Sequence, residues 1–257
     1  MRIVTNTKLA TRNKSVANYS FFLTFLLLIG GFFFVNTNFT TADTEAGVNP
    51  IFLLLQALIL PISFIFVLFS IRMTNLWVRP PRPEDVLPDA LRGLSKKSIL
   101  YNYFHIPARH LLFCPQGVYA ITTRWHDGIY TVDGDKWTTK ANPFARFFSI
   151  LRMDGVSNPT REAQRNAEYA QKILAKYAPN ITVKPLIVFI NPKAEVTIVN
   201  SDIPILFTDS KKKPNLKDYM RDVYAAMPGA DGKKNVLPFS DETVASFERE
   251  TVPQSAT

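Results

Sequence analysis

Two long apolar runs open the chain, and shorter alternating patterns follow them. No charged residue stands between Lys14 and Asp43, or between Glu45 and Arg72. The runs predict helices over about residues 19–36 and 50–71. A helix rises about 1.5 Å per residue, so the second run reaches roughly 30 Å, the thickness of a hydrocarbon core. Pro61 kinks that helix without forbidding it. Beyond it, Leu87, Leu91, Leu94, Ile99 and Leu100 predict a helix over 84–102, interrupted at Gly93. A hairpin follows, with strands over 110–114 and 118–123 joined by Pro115-Gln116-Gly117. Residues 128–132 read as a strand ending in the tight-turn pair Asp133-Gly134, with Trp137 on the returning strand. Asn158 and Pro159 then open a helix as cap and first residue, with Glu162 complementing its dipole. Its buried stripe is Ala163, Ala167, Ala170, Leu174 and Tyr177. The near-continuous apolar run 183–190 predicts a central strand buried on both faces. Shorter strands over 196–199 and 203–207 lead to a last amphipathic helix marked by Leu216, Tyr219, Met220, Val223, Tyr224 and Met227. This order predicts a three-layer α/β domain around a mixed sheet.

Charge gives the apolar runs a direction. Arg2, Lys8, Arg12 and Lys14 precede the first run, Asp43 and Glu45 lie between the runs, and Arg72, Arg79 and Arg82 follow the second. The positive-inside rule places both basic flanks in the cytoplasm. The basic start also suits a signal peptide, but no small-x-small cleavage site follows the first run, which favours an uncleaved helix. The expected organisation is a basic cytoplasmic arm (1–18), a transmembrane hairpin (19–72), a Pro/Arg linker (73–83), the α/β domain (84–228) and a polar tail (229–257) with a short helical turn near Phe247. The bilayer is therefore an expected partner, and the protein is expected to be integral and multi-pass. Apolar residues make up 47% of the chain and charged ones 20%, which excludes disorder as the main state. The single cysteine, Cys114, excludes a disulfide scaffold and any CxxC site.

Several short segments, in order, resemble the nuclease-related domain, NERD. They are His110-Leu-Leu-Phe-Cys-Pro-Gln-Gly-Val-Tyr-Ala-Ile-Thr-Thr-Arg124, the helix start Asn158-Pro-Thr-Arg-Glu-Ala163, and the apolar strand ending in Asn191-Pro192. The resemblance spans about residues 85–225 and implies a restriction-endonuclease-like fold. It also implies an Asp-His pair before the first hairpin strand and a Glu-x-Lys triplet on the next, with the acids holding Mg²⁺ to activate water and clamp a phosphate. This chain departs from that pattern at the chemistry. Arg109-His110 stands for Asp-His, and Thr122-Thr123-Arg124 for Glu-x-Lys. Arginine cannot hold Mg²⁺, and a threonine hydroxyl is a weak neutral ligand. The expectation is a domain without nuclease activity and without a resident cofactor.

Other chemistry is open at this level. Asp127, Asp133 and Asp135 lie nearby, and in an active, Mg²⁺-dependent nuclease with rearranged acids they would be the catalytic candidates. Two of them flank a turn and the third caps a loop, which explains them without catalysis. Arg109 and Arg124 could fork onto a phosphate directly, with His110 and His126 adding hydrogen bonds. Residues 73–257 hold 25 Lys and Arg against 19 Asp and Glu. That excess suits nucleic acid, and it equally suits a basic surface facing anionic lipid. All three histidines fall near Cys114, but their spacing matches no zinc pattern. Lys211-Lys212-Lys213 reads as an exposed loop, and Arg161, Glu162, Arg165, Glu168 and Lys172 as a solvated helix face. The function classes are a tethered module binding nucleic acid or another anion, a metal-dependent nuclease, and a membrane protein whose domain binds a protein partner.

Overall fold

The structure, a computed structural model, describes residues 1–41, 50–140, 158–227 and 237–252. The chain divides into two units. One holds residues 1–10, 80–143 and 156–257, and the other holds 11–79 and 144–155. The predicted loop acids Asp43 and Glu45 lie outside the described residues.

Two long helices dominate the second unit. Helix α1 (Thr7–Thr41) is longer than the expected 19–36 because Asn6 caps it early, its Oδ1 accepting from the Leu9 amide at 3.0 Å. Helix α2 (Pro50–Trp77) carries Pro61 inside it. Thr7–Phe34 and Leu53–Trp77 are long and apolar enough to cross a membrane. Their sides are sorted by size. Ala17, Ser20, Thr24, Ser63 and Ser70 are buried, and Thr24 Oγ1 lies 3.2 Å from the Phe66 carbonyl. A Cβ on Gly31 would meet Ile59 at 3.3 Å. Large residues such as Phe22, Phe25, Leu26, Leu54 and Leu60 point outward and stay exposed. Small residues at the seam and bulky apolar residues outside are how helices pair in lipid.

The first unit is built on a six-stranded mixed sheet in the order β1-β2-β3-β4-β7-β9. Its strands are β1 (Arg2–Thr5), β2 (Ile99–His105), β3 (Ala108–Cys114), β4 (Gly117–Arg124), β7 (Val183–Phe189) and β9 (Ile205–Phe207). Strands β2, β3 and β4 are antiparallel neighbours, while β1, β7 and β9 join in parallel. Strand β7 lies between β4 and β9, the central position its apolar run predicted. A second sheet, β6-β5-β8, was not expected from the pattern. It consists of β5 (Gly128–Asp133), β6 (Lys136–Thr139) and β8 (Ala194–Asn200).

Alternation along the strands gives the six-stranded sheet two apolar faces. Tyr101, Leu111, Phe113 and Ala120 pack on Ala167, Ala170 and Leu174 of α4 (Pro159–Leu174) and on Val244 and Phe247 of α6 (Asp241–Thr251). Leu100, Leu112, Tyr119, Ile121 and Leu186 pack on Leu87 of α3 (Pro83–Ala90) and on Leu216 and Met220 of α5 (Leu216–Ala225). Helices therefore cover both faces of a mixed sheet. Asn158 caps α4 as expected, accepting from the Arg161 amide at 3.0 Å.

Three expectations about element limits need correction. The helix over 84–102 ends at Ala90, and Ile99 and Leu100 belong to β2; Gly93, at φ 103°, breaks the pattern between them. The basic arm 1–18 is no simple arm, because its first residues form β1. The tail from 229 contains α6, whose Phe247 is 1% exposed. Residues 228–236 and 253–257 of that tail lie outside the description.

Candidate functional site

Strand β4 ends at Arg124 beside Phe189 of the parallel β7, and the first turn of α4 lies over that end. Thr122 and Arg124 share the α4 face with Ala120. Thr122 is 3% exposed, and its hydroxyl accepts from Asn166 Nδ2 at 2.9 Å. Arg124 forks onto Glu162, with Nη2 to Oε2 at 2.7 Å and Nη1 to Oε1 at 3.3 Å. The Arg124 side chain is 8% exposed and that of Glu162 41%. Burial alone would raise the Glu162 carboxyl. The hydrogen bonds and charge of Arg124, with the fields of Arg109 and Arg165, carry it below its ordinary value. Three guanidiniums thus act on one carboxylate.

His110 belongs to the other face. It lies opposite Ile121 in the ladder, among residues that meet α3 and α5. Its Nδ1 is 2.8 Å from Asn102 Oδ1, and its ring lies edge-on to Tyr103 at 5.1 Å. Burial, and then the charge of Arg109, lower its pKa to about 3, so the imidazole stays neutral. Half-buried Arg109 is its neighbour in sequence but projects to the α4 face, as alternation requires. Tyr103 has φ 67° where β2 bulges against β3, which swings this corner of the sheet out of register.

The remaining candidates are dispersed. His126 stacks on Trp125, ring centroids 4.3 Å apart, in the segment joining β4 to β5. Asp127 is exposed in that segment, and its carbonyl accepts from the Tyr130 hydroxyl at 2.7 Å. Asp133 and Asp135 are exposed and flank the β5–β6 turn. The Asp135 carbonyl accepts from Asn158 Nδ2 at 2.9 Å, which ties that turn to the cap of α4. His105 is buried on the α6 side, 3.0 Å from the Thr251 hydroxyl, with a pKa lowered to about 4 by burial. Cys114 is buried, and burial pushes its thiol up to about 12. Among the described residues no group of three His, Cys, Asp or Glu is placed to hold a metal. The donor set at the β4 end, one carboxylate already bound by the Arg124 fork and subject to the fields of Arg109 and Arg165, does not fit Mg²⁺.

The residue that sequence reasoning missed is Glu162. The sequence pattern puts it on a solvated helix face, and the structure turns it onto Arg124. Its position in the first turn of a helix entering over a strand end was the available signal.

Residues 84–190 match the family model NERD, the nuclease-related domain. Over that stretch the chain is similar to this family, as the segments from His110 to Arg124, from Asn158 to Ala163 and up to Ile190 imply. Strands β1, β8 and β9 and helices α5 and α6 lie outside the match. No curated protein and no solved structure matches the chain.

Proposed function

We propose that this chain is a membrane-tethered nuclease-related module that binds an anionic partner, nucleic acid foremost, without cutting it. The observation that carries this reading is the Arg124 fork onto Glu162 at the end of β4, where the fields of Arg109 and Arg165 act on the same carboxylate. The family resemblance puts metal-holding acids there. This chain puts an excess of guanidinium there, the group suited to phosphate oxygens. The one carboxylate is already bound by a cationic fork, so it has little left to offer a dication.

Two apolar helices support the tether, and connectivity bears on its sidedness. Strand β1 precedes both long helices, and its partner β2 follows them. Residues 2–5 and the domain therefore share one side of any membrane that the intervening chain crosses. An even number of crossings is required, and two candidate spans meet it. The basic flanks favour the cytoplasm for that side. The exposed Phe and Leu of α1 and α2 form an apolar surface suited to lipid and costly in water.

The test uses the full chain in detergent, because a fragment starting at the linker would lack β1. Labelled single- and double-stranded DNA and RNA are incubated with Mn²⁺, Mg²⁺ or EDTA and run on native and denaturing gels. A shift without cleavage, weakened in Arg109→Ala, is expected. Cleavage that EDTA abolishes, and that an Asp127→Ala, Asp133→Ala, Asp135→Ala variant lacks, would refute it. Unshifted nucleic acid would turn the search to a protein partner.

A further inference from the structure

Away from the guanidinium cluster, a cleft of about 540 Å³ opens between the segment after α3, the β3–β4 turn and one face of α5. Small-ligand sites typically span ~300–1,000 Å³. Lys217, Met220, Arg221 and Tyr224 stand on α5 at spacings that place them on one face. Leu91 and Met220, each 2% exposed, form an apolar floor, and the Tyr224 ring is half-buried beside it. Arg92, Lys96, Lys217 and Arg221 stand around the rim, and among the described residues no carboxylate lines the cleft. Arg92 is paired with Asp89, and Arg221 with Asp218 and Asp222. Lys96 and Lys217 make no ion pair with a described residue, so their ammonium groups are open to a ligand.

Gln116 adds an independent observation. It is 9% exposed at the β3–β4 turn, lines the cleft, and its Oε1 has no hydrogen-bond partner. A buried acceptor without a donor costs about 1–3 kcal/mol, so such atoms are rare unless something else supplies the donor. An apolar floor, a cationic rim and one buried polar atom together describe an amphipathic anion with a donor on its apolar part.

We propose that this cleft binds a mononucleotide. Its base lies on Leu91, Met220 and Tyr224, an exocyclic amino group donates to Gln116 Oε1, and its phosphate meets Lys96 and Lys217. A lipid headgroup shares the phosphate but has no planar body for the tyrosine-lined floor. The site is separate from the guanidinium cluster and stands or falls independently of the function proposed for it.

The test is calorimetric titration of the full chain, in nanodiscs of zwitterionic lipid, with AMP and with glycerol 3-phosphate. AMP should saturate one site. Lys96→Glu with Lys217→Glu should weaken AMP by about tenfold or more. Gln116→Met, which removes no internal bond, should weaken it about fivefold with an unchanged melting temperature. Arg109→Ala should leave AMP binding unaltered. Absence of saturable heat up to about 1 mM AMP would overturn the proposal. Glycerol 3-phosphate binding as tightly as AMP would overturn the nucleotide assignment and point to a headgroup. Equal losses in Arg109→Ala and in the lysine pair would overturn it by moving the ligand to the guanidinium cluster.

Discussion

Replacing Glu162 by glutamine should move stability and anion binding in opposite directions. The substitution keeps the side chain's size and removes its charge, leaving the Arg124 guanidinium in a place where it is only 8% exposed. Stripping the partner from a fully buried pair costs about 3–5 kcal/mol. Glu162 is 41% exposed, so water already screens part of the attraction, and glutamine still offers one acceptor. About 2 kcal/mol is the expected loss. Arg124→Met removes the stranded charge, so the double variant should lose about 1–2 kcal/mol less than the sum of the singles. Urea unfolding of the full chain in detergent, followed by the fluorescence of Trp125 and Trp137, reads this out. The same substitution removes the carboxylate that competes with an incoming phosphate. Nucleic acid should therefore bind tighter, and the salt slope should steepen by about one unit. Unchanged stability would mean that the fork carries no weight. Weaker nucleic-acid binding would mean that Glu162 supports the ligand instead of competing with it. Either result refutes the reasoning.

Other outcomes follow from the fold. Phe247→Ala should cost about 3–5 kcal/mol, because its ring is 1% exposed among Tyr101, Phe113 and Tyr177; a loss below about 1 kcal/mol would show that α6 is dispensable. Deleting residues 2–5 should expose β2 as a new sheet edge and speed amide exchange in Ile99–His105, which hydrogen–deuterium exchange would detect. Stability should fall on acidification in two stages. His110 has a folded pKa of about 3, below its unfolded value near 6.5. Its share is complete above about pH 6.5 and is lost as pH falls toward 3, because the unfolded state takes up the proton first. The Glu162 carboxyl is also lowered, so its share is present above its unfolded pKa and is lost as pH falls through the folded value. His105, lowered to about 4 by burial, contributes in the same window, so His110→Asn should shrink the first stage and His105→Asn with His110→Asn should flatten it in a pH series of melting temperatures.

The central architecture was legible because local signals and tertiary demands agreed. The Asn158-Pro159 start fixed α4, the apolar run fixed β7, and the Pro-Gln-Gly turn fixed the β3–β4 hairpin. Strand β1 was hidden for a physical reason. Four residues in a basic arm carry no periodicity, and their pairing with Ile99–Asn102 is made across the whole helical hairpin. Helix α6 has a Ser240 cap, Asp241 and Glu242 in its first turn and Arg249 in its last, but only Val244 and Phe247 are buried, so its stripe was too thin to read. The candidate residues could be picked by type, but the faces on which the strands place them could not. Neighbours on a strand alternate faces, so Arg124 meets Glu162 and Arg109 acts on it through its field, while His110 turns away to Asn102.

The measurement closest to the central claim is the anisotropy of a labelled oligonucleotide titrated with the full chain over a range of salt, in EDTA and in Mn²⁺. The account predicts affinity that falls with salt, a shallower slope in Arg109→Ala, equal binding with and without metal, and an oligonucleotide recovered intact. Binding that requires Mn²⁺, followed by a decay of anisotropy as the strand is cut, would contradict it.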